Sequence, residues 1–246
     1  MTVAILMPTH DRADTVGEAI ASCLRQTDED WELYIWDDGS AVATREAISP
    51  YADRRLYYRW APKAAANESA VRNNLLAWWS IHCPYACWLD SDDVMHPDRV
   101  AVQRHYLDAH LDVDVCLAPL GIFRPDELRD VREGLFMESY LKADPSRYDA
   151  TLASYRGNLC TPTAMFRPSV RAVPFDERMI YGGCDLLWTF TLVQRGFRFG
   201  AVDRQLYYLR EHPGRLTRQR EQMPRAMFQP DLDHFSAEIA RMGGIQ

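Results

Sequence analysis

Trp88-Leu89-Asp90-Ser91-Asp92-Asp93 closes an apolar run that begins at Tyr85. Tyr85 to Leu89 reads as a buried strand, and three carboxylates within four residues stand at its end. Like charges this close repel, and carboxylates at the end of a buried strand are costly without a cation beside them. A divalent hard cation such as Mg²⁺ or Mn²⁺ meets that need. It takes oxygen ligands and keeps positions open for substrate phosphates. A solvated acidic loop ahead of a helix starting near Pro97 accounts for the same residues without a ligand.

The surrounding pattern decides the fold class. Val3 to Met7 reads as a short buried strand, followed by a Pro turn and the polar segment Thr9-His10-Asp11-Arg12. A helix follows, with Asp14 as its cap and Val16, Ala19, Ile20, Cys23 and Leu24 on one face. Trp31 to Trp36 is a second strand, ending in Asp37-Asp38-Gly39-Ser40, and Leu56 to Trp60 a third. Asn67 to Ser80 is a helix with Val71, Leu75, Trp78 and Trp79 facing inward; Tyr85 to Leu89 is the fourth strand. Strands alternating with helices predict an α/β protein with a mostly parallel central sheet and helices on both faces. Ligands of such sheets bind at the carboxyl ends of the strands. Thr9-His10-Asp11, Asp37-Asp38 and Asp90 to Asp93 are therefore expected to converge on one cleft.

Composition bounds the function classes. The chain has 246 residues, 47% hydrophobic and 26% charged, values of an ordinary folded domain long enough to bury a core. A net charge of −7 argues against a nucleic-acid binder. Arg12, Arg72, Arg210, Arg215 and Arg218 are available for a local basic cleft. No apolar run approaches the roughly 20 residues that span a bilayer. Val3 to Met7 is too short for a signal peptide and lacks its basic start. The expectation is a cytoplasmic protein without a transmembrane segment, with peripheral membrane contact through an Arg-rich tail left open. Of the six cysteines only Cys83 and Cys87 are close, with no second pair to complete a zinc site; reduced core thiols are expected.

Four motifs now stand in order: Pro8-Thr9-x-x-Arg12, Asp37-Asp38-Gly39-Ser40, Ala70-x-Arg72-Asn73 and Leu89-Asp90-Ser91-Asp92-Asp93. Cys160-Thr161-Pro162-Thr163, Gly182-Gly183-Cys184-Asp185 and Tyr207-Tyr208-Leu209-Arg210-x-His212-x-Gly214 follow. The set resembles the family 2 glycosyltransferases with the GT-A fold, over about residues 1–217, and is similar to the small spore-coat polysaccharide type. The resemblance implies one GT-A domain over 1–246. A nucleotide-sugar-binding half occupies about 1–120, a mixed acceptor half about 121–217, and a C-terminal tail 218–246. The segment from His212 to Met227 reads as a loop closing over the site or as surface tail.

The resemblance also implies roles. Thr9, Asp11 and Asp38 are assigned to the nucleotide, with Arg12 of the same motif and Asp92 beside them. A carboxylate at 38 accepts the imide N–H of uracil or thymine, which favours UDP or dTDP and leaves GDP open. A turn explains Asp37 to Ser40 equally by composition. Arg72 is a candidate for bidentate contact with phosphate or sugar. Asp90, Asp92, Asp93 and His212 are the candidate metal ligands, for Mn²⁺ or Mg²⁺. Two readings overlap, Asp90-x-Asp92 and Asp92-Asp93, and share Asp92. Asp185 is the implied catalytic base, against a plain helix cap at that position. Most relatives carry Glu before this Asp; Cys184 stands here, which puts the acceptor in question. Trp188, Tyr155 and Tyr181 are candidates for an acceptor platform.

The implied activity is inverting, metal-dependent transfer of a sugar from a nucleotide-diphosphate donor to a hydroxyl of a glycan, lipid-linked or small-molecule acceptor, in polysaccharide or glycoconjugate synthesis. Two rival classes are a non-catalytic nucleotide-sugar-binding protein and a sugar nucleotidyltransferase. The second normally has a Gly-rich triphosphate loop after its first strand. Pro8 to Arg12 holds no glycine. A processive synthase would carry Gln-x-x-Arg-Trp; Gln222-Met223-Pro224-Arg225-Ala226 lacks the Trp.

Overall fold

A computed structural model describes residues 1–62, 67–123, 161–212 and 223–242. Cys160, Tyr155, Gly214, Arg215, Arg218 and Gln222 lie outside the described residues.

The first strand, β1 (Val3–Thr9), is the axis of the fold. Val3 to Met7 are fully buried, so the strand is apolar on both faces, as a central parallel strand must be. Its alternation sorts the core in two. Ala4 and Leu6 enter one apolar cluster, and Val3, Ile5 and Met7 enter the other, across the sheet. β2 (Trp31–Asp37) and β4 (Tyr85–Trp88) flank it in parallel, and β3 (Leu56–Trp60) lies outside β2. The register brings Thr9 level with Asp37 and Leu6 level with Trp88. Helices α1 (Val16–Leu24), α2 (Val42–Ile48) and α3 (Glu68–Trp78) make the crossovers. The expected alternation thus holds, with α2 added to the helices read from the sequence and three corrections. Leu24, expected on the buried face of α1, is 38% exposed at the helix end. α1 is led in by Thr15 rather than capped by Asp14, and no side chain bonds its first turn. Trp78 is only partly buried, whereas Trp79, just past α3, is in the core.

The second half departs from the simple alternation. The whole sheet runs β3-β2-β1-β4-β8-β6-β9. β8 (Met165–Phe166) is antiparallel to both β4 and β6 (Val115–Leu117), and β9 (Phe199–Ala201) is parallel to β6. A separate three-stranded sheet places β10 (Tyr207–Arg210) between β5 (Val94–Met95) and β7 (Leu120–Phe123). Between β5 and β6 lies α4 (Arg99–Ala109), and α5 (Cys184–Gln194) precedes β9. Within 218–246, read above as a tail, Arg225–Arg241 form a helix, α6, with Pro230 inside it.

Two buried features brace the acidic loop from behind. Arg99, fully buried on α4, donates to the Trp88 carbonyl (2.8 Å) and the Pro162 carbonyl (2.9 Å), and to Gln103 Oε1 (3.0 Å). Its charge is thus spent on the last carbonyl of β4, directly before the carboxylates. Trp88, Phe166, Phe175 and Trp188 form an aromatic cluster in which Phe175 and Trp188 stack at 4.6 Å. Trp188 is 2% exposed and donates its indole N–H to the Val173 carbonyl (2.7 Å). It is a core residue, the more usual of the two places an aromatic takes, and not part of an acceptor platform. Among the described residues no helix is long and apolar enough to cross a membrane.

Candidate functional site at the carboxyl ends of the strands

The ends of β1, β2 and β4 meet as the sheet topology requires. The Asp38 N–H donates to the Thr9 carbonyl (2.9 Å), joining β1 to β2 beyond their last paired residues. Asp37 is wholly buried. Its carboxylate accepts the Ser40 N–H (2.8 Å) and the Tyr58 hydroxyl (2.6 Å), so it shapes the turn. Burial, then the bond to Asp37, pushes the Tyr58 phenol up. Asp38 is the next residue, buried to 8% exposure at the mouth of the cleft. The Asp38 carbonyl accepts from His10 Nδ1 (2.8 Å).

Asp11 sits at φ +49°, a left-handed conformation that Asp adopts more readily than most residues. The turn is paid in hydrogen bonds: Asp11 Oδ1 accepts the Ala41 N–H (2.8 Å), and the Asp11 N–H donates to Ser40 Oγ (2.9 Å). Thr9 is buried, and among the described residues its hydroxyl has no hydrogen-bond partner. A buried hydroxyl without a partner is a place for a ligand or an ordered water.

The acidic trio separates into three environments. Asp93 points inward. It accepts the Tyr207 hydroxyl (2.7 Å) and the Arg210 N–H (2.8 Å), tying the loop to β10. Burial, then the charges of Asp92 and Asp90, pushes its carboxyl well up. Asp90 turns to α3, where Arg72 Nη2 donates to it (2.9 Å); burial raises its carboxyl against that attraction. Asp92 faces the cleft, and its Oδ2 lies 3.3 Å from Arg12 Nε and 3.2 Å from His212 Nε2. Burial opposes its ionisation, but the His212 hydrogen bond and the Arg12 charge win and hold it below the ordinary carboxylate range. His212 therefore reaches the loop from the end of β10.

Arg72 is 3% exposed, not the surface arginine its composition would allow. Its Nε and Nη2 donate to Glu68 Oε1 (3.1 and 2.8 Å), Nη2 also to Asp90, and its guanidinium lies 5.0 Å above the Trp88 ring. Burial alone would favour the neutral form; the charges of Asp90 and Glu68 overcome it and raise the guanidinium well above its usual value. Among the described residues its Nη1 is buried without a partner. Arg210, named above only as a possible cleft cation, is buried too. It donates to the Asp92 carbonyl (2.7 Å) and to Glu18 (2.5 Å) and lies over Phe123.

Asp185 enters from the other half of the chain. Gly182 and Gly183 take φ +145° and +78°, and Gly183 caps α5. A Cβ at Gly183 would add left-handed strain and stand 3.3 Å from Met179 Cε. Asp185 lies in the first turn, half-buried, its Oδ1 accepting the Leu186 N–H (2.8 Å). Its carbonyl accepts from the hydroxyls of Thr189 (2.9 Å) and Thr161 (3.2 Å). Cys184 is buried beside Glu68 and Arg72. Burial, then the charges of Glu68 and Asp185, pushes its thiol well up, so it is no thiolate nucleophile. Glu68, Arg72 and Asp90 thereby link the foot of α5 to the acidic loop.

Sequence reasoning missed two residues that build this site, Glu68 and Arg99, and carried Tyr207 only as part of a motif, without its bond to Asp93. Glu68 stands four residues before Arg72 on one helix, a spacing that was there to be used. The role of Arg99 depends on non-local contacts and carries no local signal, and the bond of Tyr207 to Asp93 is equally non-local.

Comparison with known proteins follows from this geometry. A match of 32% identity over 106 residues, 41% of this chain and 39% of the relative, is found with the UDP-Glc:alpha-D-GlcNAc-diphosphoundecaprenol beta-1,3-glucosyltransferase WfgD of Escherichia coli. The chain thus covers well under two thirds of that relative's length. The putative glycosyltransferase EpsE of Bacillus subtilis is 27% identical over 85% of this chain and 73% of the relative. Among solved structures, S. aureus TarS 1-349 in complex with UDP-GlcNAc superposes with a TM-score of 0.71 at 18% identity, over 88% of this chain and 61% of that one. The mannosyltransferase PcManGT from Pyrobaculum calidifontis, in complex with GDP-Man and Mn2+, does so at 0.67 and 17% identity, over 97% and 64%. These likenesses show the fold, that of GT-A glycosyltransferases. The family model described as Glycosyl transferase family 2 matches residues 4–172, well over half of the sequence, and the chain belongs to that family.

Proposed function

We propose that the protein transfers a sugar from a nucleotide-diphosphate donor, UDP- or dTDP-linked by preference, to an acceptor hydroxyl with inversion at the anomeric carbon. One observation supports this reading: Asp92, after β4, is met by Arg12 from the loop after β1 and by His212 from the end of β10, while Asp38 follows the end of β2 beside Thr9. The nucleotide base is read by the Asp38 carboxylate and the ribose and phosphates by Thr9, Asp11 and Arg12. The orphan Thr9 hydroxyl and Arg72 Nη1 are the donors and acceptors a bound nucleotide-sugar would complete.

The residues fit a divalent cation. Asp92 is held below the ordinary carboxylate range, and His212 Nε2 stands 3.2 Å from it; that nitrogen would become a ligand on giving up the hydrogen it shares with Asp92. Among the described residues no three His, Cys, Asp or Glu side chains cluster into a cage. Mg²⁺ is commonly held by one or two carboxylates together with substrate phosphates, and the pair Asp92 and His212 would be the protein's share. When bound, the ion neutralises charge on the departing diphosphate. Asp93 is committed to Tyr207 and Arg210, so Asp92 is the ligand position of the trio, with Asp90 turned to Arg72.

Asp185 takes the proton of the acceptor hydroxyl at the N-terminus of α5, where the helix dipole favours negative charge. The freed oxygen attacks the anomeric carbon from the face opposite the nucleotide, and one displacement inverts it. The UDP-GlcNAc-bound neighbour supports a UDP donor, and the GDP-Man-bound one keeps GDP in the test. The acceptor belongs to polysaccharide or glycoconjugate synthesis. Isothermal titration of UDP, dTDP, GDP and ADP, each with Mn²⁺ and with EDTA, decides the donor half. Metal-dependent binding of UDP or dTDP is expected. No metal-dependent binding of any of the four would sink the reading.

A further inference from the structure

A cavity of about 230 Å³ opens between α6 and the loop that leads into α5. Met179, Leu186, Phe228, Leu232 and Phe235 give it apolar walls. It lies next to the proposed base in the chain: Leu186, which lines it, donates its N–H to Asp185 Oδ1, and Gly183, the cap of α5, is part of the same wall. One carboxylate is present, Asp231, and it is turned to the backbone. Its Oδ2 accepts the N–H groups of Tyr181 (2.5 Å) and Gly182 (3.0 Å). A sugar ring needs a polar partner for each hydroxyl it buries, and these walls supply few. An alkyl or aryl group needs only apolar contact.

We propose that this cavity is an acceptor subsite that takes an alkyl or aryl group attached to the molecule whose hydroxyl reaches Asp185. The proposal rests on the glycosyltransfer reading above and names the class of acceptor within it. Leu232 is 38% exposed although it faces the cavity, a solvent-facing leucine that such a group would cover. The walls are held in place. Besides Asp231, His234 Nε2 bonds Asp176 (2.9 Å) and Glu238 meets Arg178 (3.4 Å), so α6 is pinned along its length to the segment before α5. α6 and this segment lie beyond residue 172, outside the range of the family match.

The probe pair is n-octyl β-D-glucoside, kept below its micelle concentration, and methyl β-D-glucoside. Each is titrated into the full chain saturated with UDP and Mn²⁺. Each methylene withdrawn from water is worth about fourfold in binding. The octyl glucoside is therefore expected to bind at least about tenfold more tightly than the methyl glucoside. Leu232→Asp and Phe228→Asp, on the open side of α6, should each erase most of that advantage. UDP titration of the same variants shows whether they are folded and tests the donor reading separately. Equal binding of the two glucosides overturns the subsite, as does an advantage that survives both substitutions. A dimer that Leu232→Asp dissociates overturns it too, in favour of a second copy of the chain on this face.

Discussion

The strand-end cleft and the foot of α5 are built in opposite ways. In the cleft, the backbone does the positioning. Three parallel strands end together, and the residues after them must meet because hydrogen-bonded register leaves them no alternative. At the foot of α5, side chains position the backbone. Asp231 holds the N–H groups of residues 181 and 182, Asn73 holds both the N–H and the carbonyl of Phe175, and Asp176 is gripped by Arg178 and His234. The lesson is that at the strand ends side chains such as Asp37 and Asp93 trim loops that the sheet already brings together, whereas before α5 the pins alone set the course of the chain.

The comparison can be broken or sharpened by substitution. Asp185→Asn carries the largest effect. It should lower kcat by roughly 10²- to 10⁴-fold, the usual worth of a general base, and leave UDP affinity unchanged. Full transfer by this variant would remove Asp185 from the chemistry. Arg99→Ala tests the sheet side. It strands the carbonyls of Trp88 and Pro162 in the core and should cost about 3 kcal/mol in urea unfolding. A loss under about 1 kcal/mol would mean the acidic loop does not need its buried brace.

Asp231→Ala tests the pins. Leaving two loop N–H groups without their acceptor should cost about 2 kcal/mol of stability, and kcat should fall more than UDP affinity. Unchanged kcat in a folded variant would show that the loop before α5 holds its shape unaided. Asp176→Asn carries the smallest effect, about 1 kcal/mol near neutral pH. The bond from Arg178, with that from His234, holds the Asp176 carboxyl below its ordinary value. A depressed carboxylate stabilises above its unfolded value and loses that contribution as pH falls through the folded one. The gap between wild type and Asp176→Asn should therefore close as pH falls from about 4 towards 2. A gap that stays constant across that range would exclude the ion pair as its source.

Legibility in the sequence followed the same divide. β1, β2 and β4 were readable because their apolar runs are local and buried, and α1 and α3 because their apolar spacing is helical; α2 (Val42–Ile48) was not named from the sequence, since only Thr44 and Ile48 of it are buried. β8 was not: two paired residues, Met165 and Phe166, leave no periodic trace. α6 was hidden by Pro230 and by the arginines ahead of it, although Phe228, Leu232, Phe235 and Ile239 keep helical spacing. Among the site residues, Asp38, Asp92 and Asp185 were visible as motifs. That Asp93 turns inward to Tyr207 while Asp92 turns outward to His212 was beyond any motif, since both partners lie over a hundred residues away.

By itself the sequence determined an α/β sheet with acidic strand ends and an Asp at the head of a late helix, because period, punctuation and residue type act over a few neighbours. Only the tertiary structure decided which carboxylate faces the cleft, why Arg72 and Arg210 are buried rather than exposed, and that the C-terminal helix walls a cavity beside Asp185. Those outcomes depend on desolvation and on pairing between distant segments, and neither is set until the chain has packed.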